Sequence, residues 1–338
     1  MSKNLAIAAL AASVSSFAFA GSIIMDGQLD AAYGSAISVQ NTQTQFGNSN
    51  LGSLSFANGS ELDVAYGFVD AQGYLRIFIG GNLESNFNKF ELFIDYTAGG
   101  QNKLRGDNPD VDFNGLNRMG DDGSGNGFTF DAGFEADFYL TLTCGNSPLA
   151  TFANTSEVLT NGGGSGGFIG SGSSGTSILN GNNDTLIALD NSNTGGVDSG
   201  TGSASGAGVT TGIEIAIPLD LLPGYADGDI KVTAFINGGG HDFVSNQVLG
   251  GIGGGGNLGE PRFVNFSAIS GDQFFVIPGP VAPVAGDLDG NGSVDGADLA
   301  ILLGGWGPCG GKGGCAADLD GNGVIDGADL AILLGSWG

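Results

Sequence analysis

The chain has 338 residues, enough for about two domains at ~150 residues each. Its 35 acidic residues against 9 Lys and Arg leave a formal net charge of −26. That balance argues against nucleic acid and against an anionic membrane surface, because both are held by clustered basic side chains. One His (His241) and three Cys (Cys144, Cys309, Cys315), with no C-x-x-C or H-E-x-x-H set, leave little of the common zinc and histidine-based repertoire.

Residues 1–20 read MSKNLAIAALAASVSSFAFA. Lys3, the apolar run Leu5 to Val14 and the small-x-small Ala18-Phe19-Ala20 come in the order of a cleavable signal peptide, so the mature chain is expected to start at Gly21. This predicts a secreted or cell-surface protein whose cysteines meet an oxidising compartment. No later run reaches the ~18 apolar residues of a membrane span, so no membrane insertion is expected.

From 21 to 277 the sequence alternates short apolar runs with Gly- and Asn-rich turns. Gly numbers 66, several times the usual ~7% share, yet 41% of residues are hydrophobic, so a real core is expected. Strands are expected at Leu62–Val69, Tyr74–Ile79, Phe90–Tyr96, Asp137–Thr143, Gly212–Pro218, Ile230–Asn237 and Gln273–Ile277. In Ile213-Glu214-Ile215-Ala216-Ile217 the three Ile share one face and Glu214 takes the other. The fold class expected is mainly β: a Gly-rich antiparallel β-sandwich. The polar stretch near 160–212 reads as an extended surface insertion with one short strand at Thr185–Leu189. Gly250–Gly256 reads as another loop.

Four residues inside this region, Asp110, Asp112, Asn114 and Asp121, fall at positions 1, 3, 5 and 12 of a calcium-loop template. Arg118 at position 9 disfavours a metal there, and a solvated loop is the default. Glycoside hydrolysis needs two carboxylates at a set separation. Glu61, Glu84, Glu91, Asp95, Glu135, Asp137, Glu214 and Glu260 supply acids, but no spacing picks out a pair. Glu135 and Asp137 would share one strand face, and His241-Asp242 reads as a polar loop rather than an acid-base pair. No catalytic residue is assigned.

Residues 278–285, Pro-Gly-Pro-Val-Ala-Pro-Val-Ala, read as a semi-rigid linker. Beyond it, Asp287-Leu-Asp-Gly-Asn-Gly-Ser-Val-Asp-Gly-Ala-Asp298 and Asp318-Leu-Asp-Gly-Asn-Gly-Val-Ile-Asp-Gly-Ala-Asp329 repeat at an offset of 31 residues, each followed by Leu-Ala-Ile-Leu-Leu-Gly. Each loop has oxygen donors where a Ca²⁺ loop needs them. They are Asp287, Asp289, Asn291, the Ser293 carbonyl, Asp295 and Asp298, then Asp318, Asp320, Asn322, the Val324 carbonyl, Asp326 and Asp329. Gly292 and Gly323 allow the bend at position 6. Segment 286–338 has eight Asp and one Lys, a net of −7 that two Ca²⁺ would bring to −3, so folding is expected to couple to metal binding. Its expected core is Leu299, Leu302 and Leu303 against Leu330, Leu333 and Leu334, capped by Trp306 and Trp337. Cys309 and Cys315 are expected to form a disulfide between the repeats. Cys144 is left as a small buried hydrophobe.

Two tandem loop-helix units with Asp rather than Glu at position 12, and no entering helix before Asp287, resemble the type I dockerin domain over about one-sixth of the chain, 286–338. The resemblance implies a small α-helical module holding two Ca²⁺ and docking onto a cohesin-like domain. The family's recognition pair, at loop positions 10 and 11, is commonly polar; here it is Gly296-Ala297 and Gly327-Ala328. Two further segments resemble family 9 carbohydrate-binding modules and their sandwich relatives. They are Ile24-Met25-Asp26-Gly27-Gln28-Leu29-Asp30-Ala31-Ala32-Tyr33 and Thr211-Gly212-Ile213-Glu214-Ile215-Ala216-Ile217-Pro218-Leu219. That implies a polysaccharide as a second partner. However, both Trp lie in the repeat module, leaving only Phe and the tyrosines Tyr33, Tyr66, Tyr74, Tyr96, Tyr139 and Tyr225 as platform candidates. Three readings result: a non-catalytic binding protein tethered through its dockerin, a dockerin-bearing glycoside hydrolase, or a calcium-stabilised matrix protein.

Overall fold

Alternating side chains decide which strands form and which way they face. Ile213, Ile215 and Ile217 are buried toward the interior of a sandwich, and Glu214 points to the opposite face. Leu75, Ile77 and Ile79 do the same, while Phe78 turns outward beneath Tyr33. The computed structural model describes residues 23–46, 59–146, 149–173, 177–197, 202–280, 284–289, 293–309 and 315–338. The expected signal peptide, Asn291 and part of the expected linker lie outside the described residues.

In chain order the elements are β1 (Ser38–Val39), β2 (Glu61–Val69), β3 (Tyr74–Asn82), β4 (Lys89–Asp95), α1 (Gly115–Met119), β5 (Phe138–Gly145), β6 (Ala150–Glu157), β7 (Gly166–Ser173), β8 (Ser177–Asn180) and β9 (Leu186–Leu189). They continue with β10 (Gly212–Pro218), β11 (Ile230–Asn237), β12 (Val244–Leu249), β13 (Phe275–Ile277), α2 (Gly296–Gly304), β14 (Gly307–Pro308), β15 (Val324–Ile325) and α3 (Gly327–Gly335). One sheet has the order β1-β2-β3-β10-β9-β8; the other has β12-β11-β4-β5-β6-β7, with β13 on β11. Their strand pairs are antiparallel. A single apolar cluster draws on both sheets, so they pack face to face as a mainly β sandwich. The free thiol Cys144 is buried in that cluster.

The outer face of the second sheet is also covered. The long connection between β4 and β5 folds back over its own sheet and adds Leu104, Leu116, Met119, Phe128, Phe130 and Phe134 to a second cluster. Phe93 and Phe235 of the sheet meet these rings, with Phe93–Phe130 and Phe128–Phe235 centroids both 4.9 Å apart.

One sequence expectation is corrected here. The stretch near 160–212 is no surface insertion. Besides the expected short strand, β9, it supplies β7 to one sheet and β8 to the other, and places Ile169, Leu179, Ile187 and Leu189 in the core. Ladder bonds use backbone groups that Gly carries like any residue, and Asn side chains stand in for missing backbone partners. Asn191 accepts from Leu83 N (2.9 Å) and donates to Leu83 O (2.8 Å). The strand β12 has no apolar alternation to mark it, because Ser245, Asn246 and Gln247 at its centre are all polar. All three are buried, and Gln247 accepts from Leu62 N (3.1 Å) while donating to Thr42 O (3.1 Å).

Candidate metal centres and docking module

The helices α2 and α3 have the same sequence, Gly-Ala-Asp-Leu-Ala-Ile-Leu-Leu-Gly, and start the same way. Asp295 caps α2 by accepting from Ala297 N (2.8 Å), and Asp298 reaches back to accept from Asp295 N (2.8 Å). This is a reciprocal capping box. Asp326 and Asp329 repeat it on α3, both at 2.8 Å. The other oxygen of Asp298 accepts from Leu288 N (2.7 Å) and Asp289 N (3.1 Å). Asp329 does the same with Leu319 N (2.7 Å) and Asp320 N (3.2 Å). Each helix start is thereby tied to the start of its own loop.

These bonds gather carboxylates. Asp287, Asp289 and Asp298 each offer an oxygen within 4.8 Å of the others, and so do Asp318, Asp320 and Asp329. Among the described residues these are the two places where three metal-ligating side chains meet. Three carboxylates at that range repel one another, and a hard divalent cation with six to eight oxygen ligands relieves the repulsion. The second loop is bent for this: Gly323 N donates to Asp318 Oδ2 (2.8 Å) and Asn322 N to Asp318 Oδ1 (3.0 Å). Gly323 has φ 89°, which glycine adopts without strain. Burial works against the charge on Asp298, but the amides of Asp295, Asp289 and Leu288 hold its carboxyl below the usual range. For Asp329 the Asp326 amide is the chief cause of the same lowering. The donor set, all oxygen, suits Ca²⁺.

The two units are held by a small core and by cross-links. Val294, Leu302, Ala317, Ile325 and Leu333 are buried together. The strand pair β14–β15 sets Gly307 against Ile325, and Cys309 N donates to Gly323 O (2.9 Å). Cys309 and Cys315 form the expected disulfide, with Cα atoms 5.8 Å apart. The expected core needs correction. Leu303 and Leu334 are each 51% exposed, and Trp306 and Trp337 are 49% and 47% exposed. A helix of nine residues offers one inward stripe, and Leu302 and Leu333 occupy it, so the neighbouring Leu turns outward.

Residues 285–334 match the family model of the dockerin type I domain. The C-terminal module is a type I dockerin. No curated protein and no solved structure matches the chain. A dockerin implies tethering to a cohesin partner, and dockerin-bearing proteins are typically extracellular. Among the described residues no helix is long and apolar enough to cross a membrane.

The remaining sequence candidates are placed apart. Asp110, Asp112, Asn114 and Asp121 are not gathered into a cluster. Asp121 accepts from Gly123 N and Gly125 N, both at 2.9 Å. Asn114 accepts from Asn117 Nδ2 (2.8 Å). Asp112 instead accepts from Lys89 Nζ (2.9 Å) and pairs with His241 Nε2 (2.9 Å). His241 does lie in the loop between β11 and β12, but its side chain is buried and paired: its Nδ1 meets Glu91 Oε1 (2.6 Å), while its neighbour Asp242 is exposed. Glu91 also accepts from Tyr139 OH (2.7 Å) and Asn237 Nδ2 (3.1 Å). Asp137 precedes its strand and accepts from Tyr96 N (3.0 Å) and Thr97 N (3.1 Å); burial pushes its carboxyl up to about 6. Glu214 accepts from Tyr33 OH (3.1 Å), Asp26 N (3.0 Å) and Gly27 N (3.2 Å), and ties the N-terminal segment to the sheet. Tyr33, Tyr66 and Tyr139 are buried, so none of these three offers a platform.

Proposed function

We propose that this chain is an exported, non-catalytic protein that binds carbohydrate or a surface ligand through its β-sandwich and is anchored through its dockerin. Residues 21–277 form the binding domain, 278–285 the linker and 286–338 the dockerin. The dockerin takes up two Ca²⁺, one on each loop, using Asp287, Asp289, Asn291, the Ser293 carbonyl, Asp295 and Asp298, and their counterparts Asp318, Asp320, Asn322, the Val324 carbonyl, Asp326 and Asp329. The observation that carries this reading is the duplicated carboxylate triad, each tied to the first turn of its own helix.

The docking face is apolar and duplicated. Gly296-Ala297 and Gly327-Ala328 are exposed and small, so a cohesin-type partner can approach the helix starts closely. Leu303 with Trp306, and Leu334 with Trp337, add a larger apolar pair beside each helix.

Calorimetric Ca²⁺ titration of the metal-stripped full chain tests the reading. Two sites per chain are expected, with Asp298→Ala and Asp329→Ala each removing one. No uptake, or unchanged stoichiometry in both variants, would overturn the ligand assignment.

A further inference from the structure

One cavity of the sandwich lies away from the dockerin. It has a volume of about 490 Å³ and opens on the outer face of the second sheet, where the β4–β5 connection stops covering it. Its walls are aromatic: Phe87, Phe113 and Phe168 are 46%, 99% and 55% exposed. Such exposure is costly for three Phe unless something covers them. Phe87 is pinned, because its ring lies over Gly145, where a Cβ would collide with it. Phe113 sits at the tip of Asp112-Phe113-Asn114, three successive residues with φ of 47°, 57° and 67°. L-residues adopt that backbone at a cost, and such turns gather at binding sites.

The floor is polar and incompletely satisfied. Lys89 Nζ donates to Asp112 Oδ2 and Thr143 Oγ1 (both 2.9 Å), which leaves one of its three protons unspent among the described residues. Asp112 Oδ2 receives Lys89 and His241, while Oδ1 has no partner among the described residues. Asn154 is only 4% exposed and lines the cavity, yet its carboxamide meets no hydrogen-bond partner among the described residues. Its amide is not sealed from solvent, so it is open to the cavity and free to bond a ligand. Lys89 and His241 balance Asp112 and Glu91, and the exposed Asp110, which also lines the cavity, adds one negative charge, so the lining does not favour an anion.

From these observations we propose that the cavity is a pyranose-binding site. A sugar ring is neutral, has an apolar C–H face for the Phe walls and carries neighbouring hydroxyls that both donate and accept. One hydroxyl donates to Asp112 Oδ1, its neighbour accepts from Lys89 Nζ, and a third bonds the Asn154 carboxamide. A plain hydrocarbon would leave all three groups unsatisfied. The inference rests on the reading of the sandwich as a carbohydrate-binding domain and gives that reading a site.

Saturation-transfer NMR on the full chain tests it, with the methyl glycosides of glucose, galactose, mannose and xylose as probes. Transfer to the ring protons of at least one glycoside is expected. Phe113→Ala and Asn154→Ala remove groups that hold nothing else, so both should fold as the parent does. Each should weaken binding about tenfold, the equivalent of one good contact. If no glycoside binds the parent chain, the carbohydrate reading of the sandwich fails, and the site with it. If a glycoside binds and both variants bind it equally well, the domain reading survives and this site is wrong.

Discussion

His241 offers a sharp test because it is the sole histidine of the chain, so its NMR signal needs no assignment. It is buried between Glu91 and Asp112, which it meets through Nδ1 at 2.6 Å and Nε2 at 2.9 Å. Burial opposes its charge, but the two carboxylates outweigh burial and raise its pKa to about 9 from the ordinary 6.5. The folded value lies above the unfolded one. The stabilisation is therefore complete below about pH 6.5 and is lost as pH rises through about 9. A displacement of that size corresponds to about 3 kcal/mol. In His241→Gln the two carboxylates keep their charge without the imidazolium, and about 3–5 kcal/mol should be lost near pH 6. Urea unfolding of parent and variant across pH 6 to about 10 reads the difference, and subtraction removes the other groups that titrate there. The gap should shrink by about 3 kcal/mol over that range as the parent's imidazole becomes neutral. An imidazole that titrates at or below its ordinary value, or a gap that stays constant with pH, would refute the ion-pair account.

Three further outcomes follow from the same geometry. Both tryptophans, Trp306 and Trp337, lie in the dockerin, so chelating Ca²⁺ should shift the Trp-detected melting transition to lower temperature and spare the Tyr-detected one; no shift would mean that the carboxylate triads fold without metal. Leu302→Ala empties the dockerin core and should cost about 2–5 kcal/mol, whereas Leu303→Ala at a half-exposed site should cost about 0.5 kcal/mol or less; equal losses by thermal melting would contradict the observed packing. Burial pushes Glu214 up to about 7 despite its three donors, so its folded value lies above its unfolded one. The parent should lose stability relative to Glu214→Gln as pH rises from about 4.5 to 7, and a flat difference in denaturant unfolding would show the carboxylate to be ionised throughout.

Some of this molecule is written locally. The dockerin was readable because its ligands, bends and helix caps fall within two twelve-residue windows, and the chemistry of Ca²⁺ dictates their order. Strands such as Gly212–Pro218 and Ile230–Asn237 were readable for the same kind of reason: alternation is a property of neighbours. The disulfide joins residues six apart.

What the tertiary structure decided involves distant residues. His241 pairs with Glu91 and Asp112, which lie 150 and 129 residues away, so no local pattern marks the network or the cavity above it. The strands β7 and β12 depend on backbone ladders and on Gln and Asn side chains that bond across the sandwich, so their composition imitates a loop. Which leucine of each dockerin helix turns inward was likewise undecided until the two units packed, because Leu-Leu pairs look identical to a hydropathy pattern. Sequence alone determines interactions closed within a turn or two of chain. Interactions that bury a polar or apolar group against a distant segment acquire their partner only when the sheets assemble.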